Sequence, residues 1–260
     1  MNESQMDRRR PIRSRPRGYS LVEVMIALAV ALFLLAGIVL VEQGTHKTSL
    51  NQTGLAQLQD EERVSMTMLA NVVQQAGYYP TPTAVFPADE LLQELPAVGS
   101  MQAGQSVYGL TDGNGNEALT ARFSTRSGDG VLNCQGGTNT GGAALEYDNV
   151  FSVDNTNHQL VCAVNGGGTV ALVNNVQSFT VLYGVNSTST TLFDNSGAVD
   201  TYLTSSQITG NANSATFWTN IYSVKVTITF INPLAGQPGQ PATIAFTRVI
   251  AIQSRTGVNI

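Results

Sequence analysis

Glu23 makes the heaviest demand on its surroundings. It is the only charged side chain between Arg17 and Glu42, and from Leu21 to Val41 every other residue is uncharged and nearly all are apolar. A run of about 20 such residues is what a helix needs to cross the hydrocarbon core of a bilayer. A carboxylate at the centre of such a helix costs about 2.5–3.5 kcal/mol on insertion scales, and less near its end. Glu23 falls in the first turn, where the helix dipole offsets a little of that cost. Six arginines (Arg8, Arg9, Arg10, Arg13, Arg15 and Arg17) stand before the run, and only His46 and Lys47 soon after it. The positive-inside bias then predicts a cytoplasmic N-terminus and places residues 42–260 on the far side.

Two ordinary explanations leave something over. A secretory signal peptide has a shorter apolar core and a small-residue cleavage site, and Gly37-Ile38-Val39-Leu40 is a poor one. A plain membrane anchor accounts for the length and the arginines but not for the acid. The order Gly18-Tyr19-Ser20-Leu21-Val22-Glu23 closely resembles the leader of type IV prepilins and type II secretion pseudopilins: a basic segment ending in Gly, then an aromatic residue, Ser or Thr, Leu, a branched residue and Glu. The resemblance implies cleavage between Gly18 and Tyr19 by a prepilin peptidase, and methylation of the new Tyr19 amine by the same enzyme. It also implies that Glu23 pairs with the N-terminal amine of a neighbouring subunit. Pairing offsets much of the cost of two charges in an apolar bundle, so the acid would set the register of docking.

Removal of residues 1–18 changes the charge balance. The chain has 13 Lys and Arg against 18 Asp and Glu, a formal charge of −5. Six of the basic residues and two of the acids (Glu3, Asp7) lie in the leader, leaving 7 against 16, or −9, in the mature chain. An acidic chain without a basic cluster argues against a phosphate-tracking nucleic-acid surface. Charged residues make up only 12% of the chain, about half the usual share, and Ser, Thr, Asn and Gly fill the gap. That composition suits an extracytoplasmic β-rich domain.

The remaining candidate chemistry is weak. Cys134 and Cys162 lie beyond the membrane segment and 28 residues apart, which in an oxidising compartment reads as one disulfide. They lack the spacing of a zinc site. Asp112-Gly-Asn114-Gly-Asn116-Glu117 begins like a calcium loop but lacks the sixth-position glycine and a clear distal acid. Asp194 to Asp200 is a second, weaker candidate, and for both an ordinary Asx-rich turn is the commoner explanation. No nucleophile motif is present, and neither His46 nor His158 has a spaced partner. Gly166-Gly167-Gly168 reads as a hairpin turn. Phe217, Trp218 and Tyr222 could form a sugar or peptide platform, although a buried sheet edge is the commoner role for such residues. No metal or cofactor is expected.

The elements that would carry these residues follow from periodicity. Leu55, Leu58, Met66, Leu69, Val72, Val73 and Ala76 share one helical stripe, with Asp60, Glu61 and Arg63 off it and Glu62 unexplained within it. Gly77 is a helix stop, followed by Pro80 and Pro82. One helix is therefore expected from about Tyr19 to Ala76, weakened at Gly37, Gly44 and Gly54, with a short helix at Asp89–Leu95. Strands are expected at Ala118–Ser124, Asn149–Val153, Gln159–Val164, Thr169–Val173 and Val176–Tyr183, with a turn at Asp154–Asn157. Val224, Val226, Ile228 and Phe230 alternate with polar residues as a half-buried strand, to pair with Thr243–Gln253 across the loop Asn232–Pro241. Asn186–Thr216 is expected to be a long surface loop.

Four further segments resemble minor pilins of the PilW type, relatives of the J-type pseudopilins: Gln75-Ala76-Gly77-Tyr78, Leu132–Gly136, Val161-Cys162 and Phe246–Arg255. The resulting expectation is an α+β pilin-like fold with a long helix packed on an antiparallel sheet and one disulfide. Its parts are a cleaved leader (1–18), a membrane and assembly helix (19–43), an amphipathic helix (44–77) and a β-rich extracytoplasmic domain (78–260). The function implied is that of a minor pilin, not an enzyme, that primes assembly of a type IV pilus and joins it, at the tip. Expected partners are other minor pilins, the major pilin, the prepilin peptidase, the inner-membrane assembly platform and, before assembly, the lipid bilayer. It would reside in the inner membrane as a single-pass protein with a periplasmic domain, and at the cell surface after assembly. A secretion pseudopilin, a pilus-borne adhesin and an anchored periplasmic enzyme are the alternatives.

Overall fold

Helix α1 (Leu21–Gln74) exists for two different reasons along its length. The computed structural model describes residues 18–80, 95–194 and 196–255, and the chain divides into two units, Met1–Gln52 and Thr53–Ile260. In the first unit the helix is apolar on all sides from Leu21 to Val41, and Leu21–Ser49 are all exposed within the chain. It is long and apolar enough to cross a membrane. In the second unit the period of 3.6 takes over. Leu58, Met66, Leu69, Val72, Val73 and Ala76 are buried, while Asp60 and Arg63 are exposed and bond to each other at 2.8 Å. The helix stops two residues short of the expected Ala76. Gly77 follows with φ 77°, which favours glycine, and its N–H bonds to Arg122 O at 2.8 Å. The short helix expected at Asp89–Leu95 lies, Leu95 apart, outside the described residues.

The second unit holds two antiparallel sheets where the sequence suggests one. The first orders β1 (Val107–Thr111), β2 (Glu117–Thr125), β3 (Leu145–Asp154), β4 (Gln159–Val164) and β5 (Val170–Val173) side by side. The second orders β7 (Thr201–Leu203), β6 (Val176–Val185), β8 (Ser223–Ile231) and β9 (Thr243–Ala251). Asn175, with φ 59°, turns the chain from β5 into β6, and Val176 N bonds to His158 O at 2.8 Å. Asn tolerates this left-handed conformation better than most residues, so one Asn redirects the chain into a new sheet. β6 then packs against β2, β3 and β4. The stripe of α1 joins Phe179, Val181 and Tyr183 of β6 and Val224, Val226, Ile228 and Phe230 of β8 in one hydrophobic core.

Several expectations hold in detail. The β3–β4 turn is closed by Asp154, whose Oδ1 accepts from Thr156 N and Asn157 N at 2.9 and 3.2 Å. Gly166 (φ 69°) turns β4 towards β5, with Gly167 N bonded to Val164 O. β8 and β9 pair in unbroken register from Ser223↔Ala251 to Ile231↔Thr243. The long loop expected at 186–216 requires correction. It contains β7, helix α2 (Ser205–Thr209) and the start of helix α3 (Ser214–Thr219). Thr204 and Gln207 form a reciprocal capping box that starts α2.

Cys134 and Cys162 form a disulfide with Cα atoms 6.3 Å apart. It ties the β2–β3 connection to β4, and Gln135 Nε2 adds bonds to Cys162 O and Gly168 O at 3.0 and 2.9 Å. Closing a loop of this size stabilises by about 3 kcal/mol in chain-entropy terms. Denaturant unfolding of the full chain in detergent, followed by the fluorescence of buried Trp218, tests both the staple and the stripe. Replacing both cysteines by Ser is expected to remove about 3 kcal/mol. Leu69→Ala, at a fully buried position, is expected to remove about 2–5 kcal/mol. Leu34→Ala, on the exposed first unit, is expected to leave this transition unchanged.

Candidate functional site

Two kinds of functional position emerge: the start of α1, exposed among the described residues, and buried polar clusters that organise the globular unit. At the first, Ser20 precedes the helix and its carbonyl accepts from Glu23 N and Val24 N at 3.0 and 3.2 Å. Glu23 lies in the first turn. The spacing Ser20-x-x-Glu23 is also that of a capping box, a second use for the acid that the sequence analysis missed. Tyr19 is 82% exposed. A Cβ built on Gly18 would meet nothing within 4 Å, so packing gives no reason for a glycine there.

In the globular unit, Arg122 of β2 is fully buried and faces two acids of β3. It forms ion pairs with Glu146 and, at 2.9 Å, with Asp148. Its other donors reach Pro96 O at 2.7 Å and Gln105 O at 3.4 Å. Burial pushes the Glu146 carboxyl up from its ordinary value, against the opposing pull of Arg122. One cation thus holds both the strand pair and the segment entering β1. The signal was present as Glu146 and Asp148 at period 2, but the expected strand began at Asn149.

Glu117, 4% exposed, is a buried carboxylate. Its Oε1 accepts from Tyr183 Oη at 2.9 Å, and its Oε2 from Thr111 Oγ1 at 2.9 Å and Ser205 Oγ at 3.1 Å. Burial, and then the charge of Glu117, push the Tyr183 hydroxyl well above its ordinary value, so it stays a donor. Gly109 is required by space, because a Cβ there would overlap the Tyr183 hydroxyl and the Glu117 carboxylate. Trp218 packs against Tyr108 and Tyr183, with ring centroids 4.9 and 5.0 Å away. With Phe217 and Tyr222 also buried, this aromatic group is core and not an exposed platform.

The acidic loops use their own carboxylates. Asp112 Oδ1 accepts from Asn114 N and Asn116 N, each at 2.8 Å, and its Oδ2 from Asn155 Nδ2 at 3.3 Å. Asp194 accepts from Ser196 and Asp200 from Ser187. Among the described residues no three His, Cys, Asp or Glu side chains gather as metal ligands would. The 186–200 segment is clamped from below. Asn220 bonds to Asp194 N, Thr191 O and Ser189 Oγ, and Tyr222 Oη donates to Asp194 O at 2.8 Å. Glu62 is half-buried; the acid that reaches the second sheet's entry is its neighbour Glu61, 3.4 Å from Asn175 Nδ2.

Residues 137–246 match the family model of the type IV pilus-assembly protein W, and residues 13–39 match the prokaryotic N-terminal methylation motif. The first match runs from the β2–β3 connection into β9, and the second spans the start of α1. A solved type IV-like pilin from Thermus thermophilus is similar at 13% identity over 76% of this chain and 98% of its own, with a TM-score of 0.38. No curated protein sequence matches the chain. The chain is thus similar to PilW-type pilus components over residues 137–246 and carries a prepilin-type methylation motif at the start of α1.

Proposed function

We propose that the chain is made as a precursor, cut after Gly18, methylated on the Tyr19 amine, and held by residues 19–43 in the inner membrane with its N-terminus in the cytoplasm. It then joins other minor pilins to prime assembly at the inner-membrane platform, and the complex sits at the tip of the pilus above the major pilin. The observation that carries this reading is the stretch Leu21–Val41 of α1: exposed throughout and apolar but for a single acid in its first turn. An apolar surface of that extent requires a non-aqueous neighbour. Lipid serves before assembly, and the helices of other subunits serve after it.

Glu23 distinguishes the two neighbours. In lipid it can lie near the interface at modest cost. In a bundle of helices it is removed from water and needs a cation, and the methylated amine of the adjoining subunit is the one this mechanism supplies. The pairing fixes depth, because sliding by one turn separates the charges by about 5.4 Å. The match to a pilus-assembly family supports the pilus over the pseudopilus.

Two measurements test this. Mass spectrometry of the protein from pili or inner membranes is expected to show a mature chain starting at methylated Tyr19; an intact leader overturns the reading. Glu23→Gln keeps the length and hydrogen-bonding capacity of a helix-capping side chain but removes the charge. Cleavage is expected to proceed, while incorporation into pili drops at least about tenfold, a conservative figure beside the roughly 3–5 kcal/mol lost on breaking a buried pair. Normal incorporation of the Gln variant would leave Glu23 with the capping role alone.

A further inference from the structure

Arg255 closes the last described turn (Gln253–Arg255) and is 4% exposed. Its backbone is pinned by Arg255 N to Ile252 O at 3.0 Å, and the adjoining Ser254 hydroxyl donates to Ala76 O at 2.6 Å. The guanidinium lies over the ring of Phe193, 5.2 Å from its centroid. Two of its nitrogens, Nε and Nη2, are buried without a hydrogen-bond partner among the described residues. Those two N–H groups lie along the same edge of the guanidinium and form the fork that grips both oxygens of a carboxylate.

A buried cation can escape its cost by finding an anion or by losing its proton. Burial lowers the Arg255 pKa to about 10, with Tyr222 and Tyr79 opposing the shift. At neutral pH the group is therefore still charged, and the second route is closed. No carboxylate among the described residues takes the first. Asp194, beside Phe193, has its carboxylate turned to Ser196. Stacking on Phe193 occupies the face of the guanidinium and leaves the fork edge for an in-plane ligand.

We propose that the Nε–Nη2 edge of Arg255 is a carboxylate-binding site. One positive charge among neutral tyrosines and a phenylalanine matches a monoanion; a phosphate dianion would leave an unmatched negative charge behind. The fork itself is shielded, so the ligand enters by displacing its cover. The carboxylate comes either from an acidic side chain or chain end of a neighbouring subunit or from a free small anion. The subunit source rests on the pilus reading above; the site itself does not.

The test uses the full mature chain in detergent, labelled with 15N at arginine Nε. Its arginines are Arg63, Arg122, Arg126, Arg248 and Arg255, and Arg255→Lys identifies the Arg255 signal by its loss. Millimolar acetate at constant ionic strength is expected to move the Arg255 Nε–H resonance downfield to saturation and to raise the melting temperature, with the Arg63 resonance unmoved. Arg255→Lys is expected to abolish the acetate-dependent rise. An Arg255 signal indifferent to acetate, or one moved equally by chloride, overturns the proposal. Co-purification with other minor pilins separates the sources. A subunit carboxylate leaves the resonance already shifted and no longer responsive to acetate, whereas a free anion leaves it responsive.

Discussion

Charge taken out of water must be met by charge or by several hydrogen bonds, and the globular unit is organised around the places where this chain does so. Arg122 meets Glu146 and Asp148 across the β2–β3 pair and reaches back to the carbonyls of Pro96 and Gln105. One buried side chain therefore sets both a strand pair and the path of the segment before β1. Glu117 is met by hydroxyls from β1, β6 and α2. Its two oxygens thereby join the first sheet to the second, at the point where Tyr183 also packs on Trp218. An apolar pair could fill the same volumes, but it would not specify which strand lies opposite which.

The same constraint separates internal chemistry from assembly chemistry. Arg122 and Glu117 are satisfied within the chain, whereas Glu23 begins a helix whose neighbours must come from outside. In the proposed pilus that acid is matched by an amine which exists only once the leader has been removed. Under the same proposal the leader's six arginines leave with it, and the formal charge goes from −5 to −9. In that proposal basic charge orients the precursor, and the acid then serves the mature subunit. Arg255 is a buried cation with an empty fork, so its partner too must come from outside the described fold.

Much of this was legible where one period dominated. The stripe from Leu58 to Ala76 and the alternation from Val224 to Phe230 identify a helix and a strand because each buries one face and exposes the other. β1 was missed because it is five residues long and contains Gly109, which reads as a turn. The glycine is explained only by Tyr183 and Glu117, which approach it from distant parts of the sequence. The first residues of β3 were missed because Glu146 and Asp148 look like a solvated turn until Arg122 is placed opposite. The Ser, Thr and Asn content of the 186–216 segment reads as a long surface loop. Its order comes from Asn220 and Tyr222, about 26 to 31 residues away from the atoms they hold. No local pattern carries such information.

Carboxamides elsewhere in the globular unit also explain why a chain with 12% charged residues can hold so much irregular structure. Asn139 bonds to Thr125 O, Ala143 O and Gly141 N; Asn149 to Cys134 N and Ala121 O; Asn232 to Pro241 O and Leu234 N. Each carboxamide offers two donors and an acceptor, so one side chain closes a turn that would otherwise leave several backbone groups unpaired. Neutral amide bonds respond little to salt, whereas exposed ion pairs weaken as ionic strength rises. A domain stabilised by Asn, Ser and Thr therefore keeps its shape when its ionic surroundings change. Its few charges then remain available for a different task, the selection of neighbours, in which sensitivity to the surroundings is an advantage.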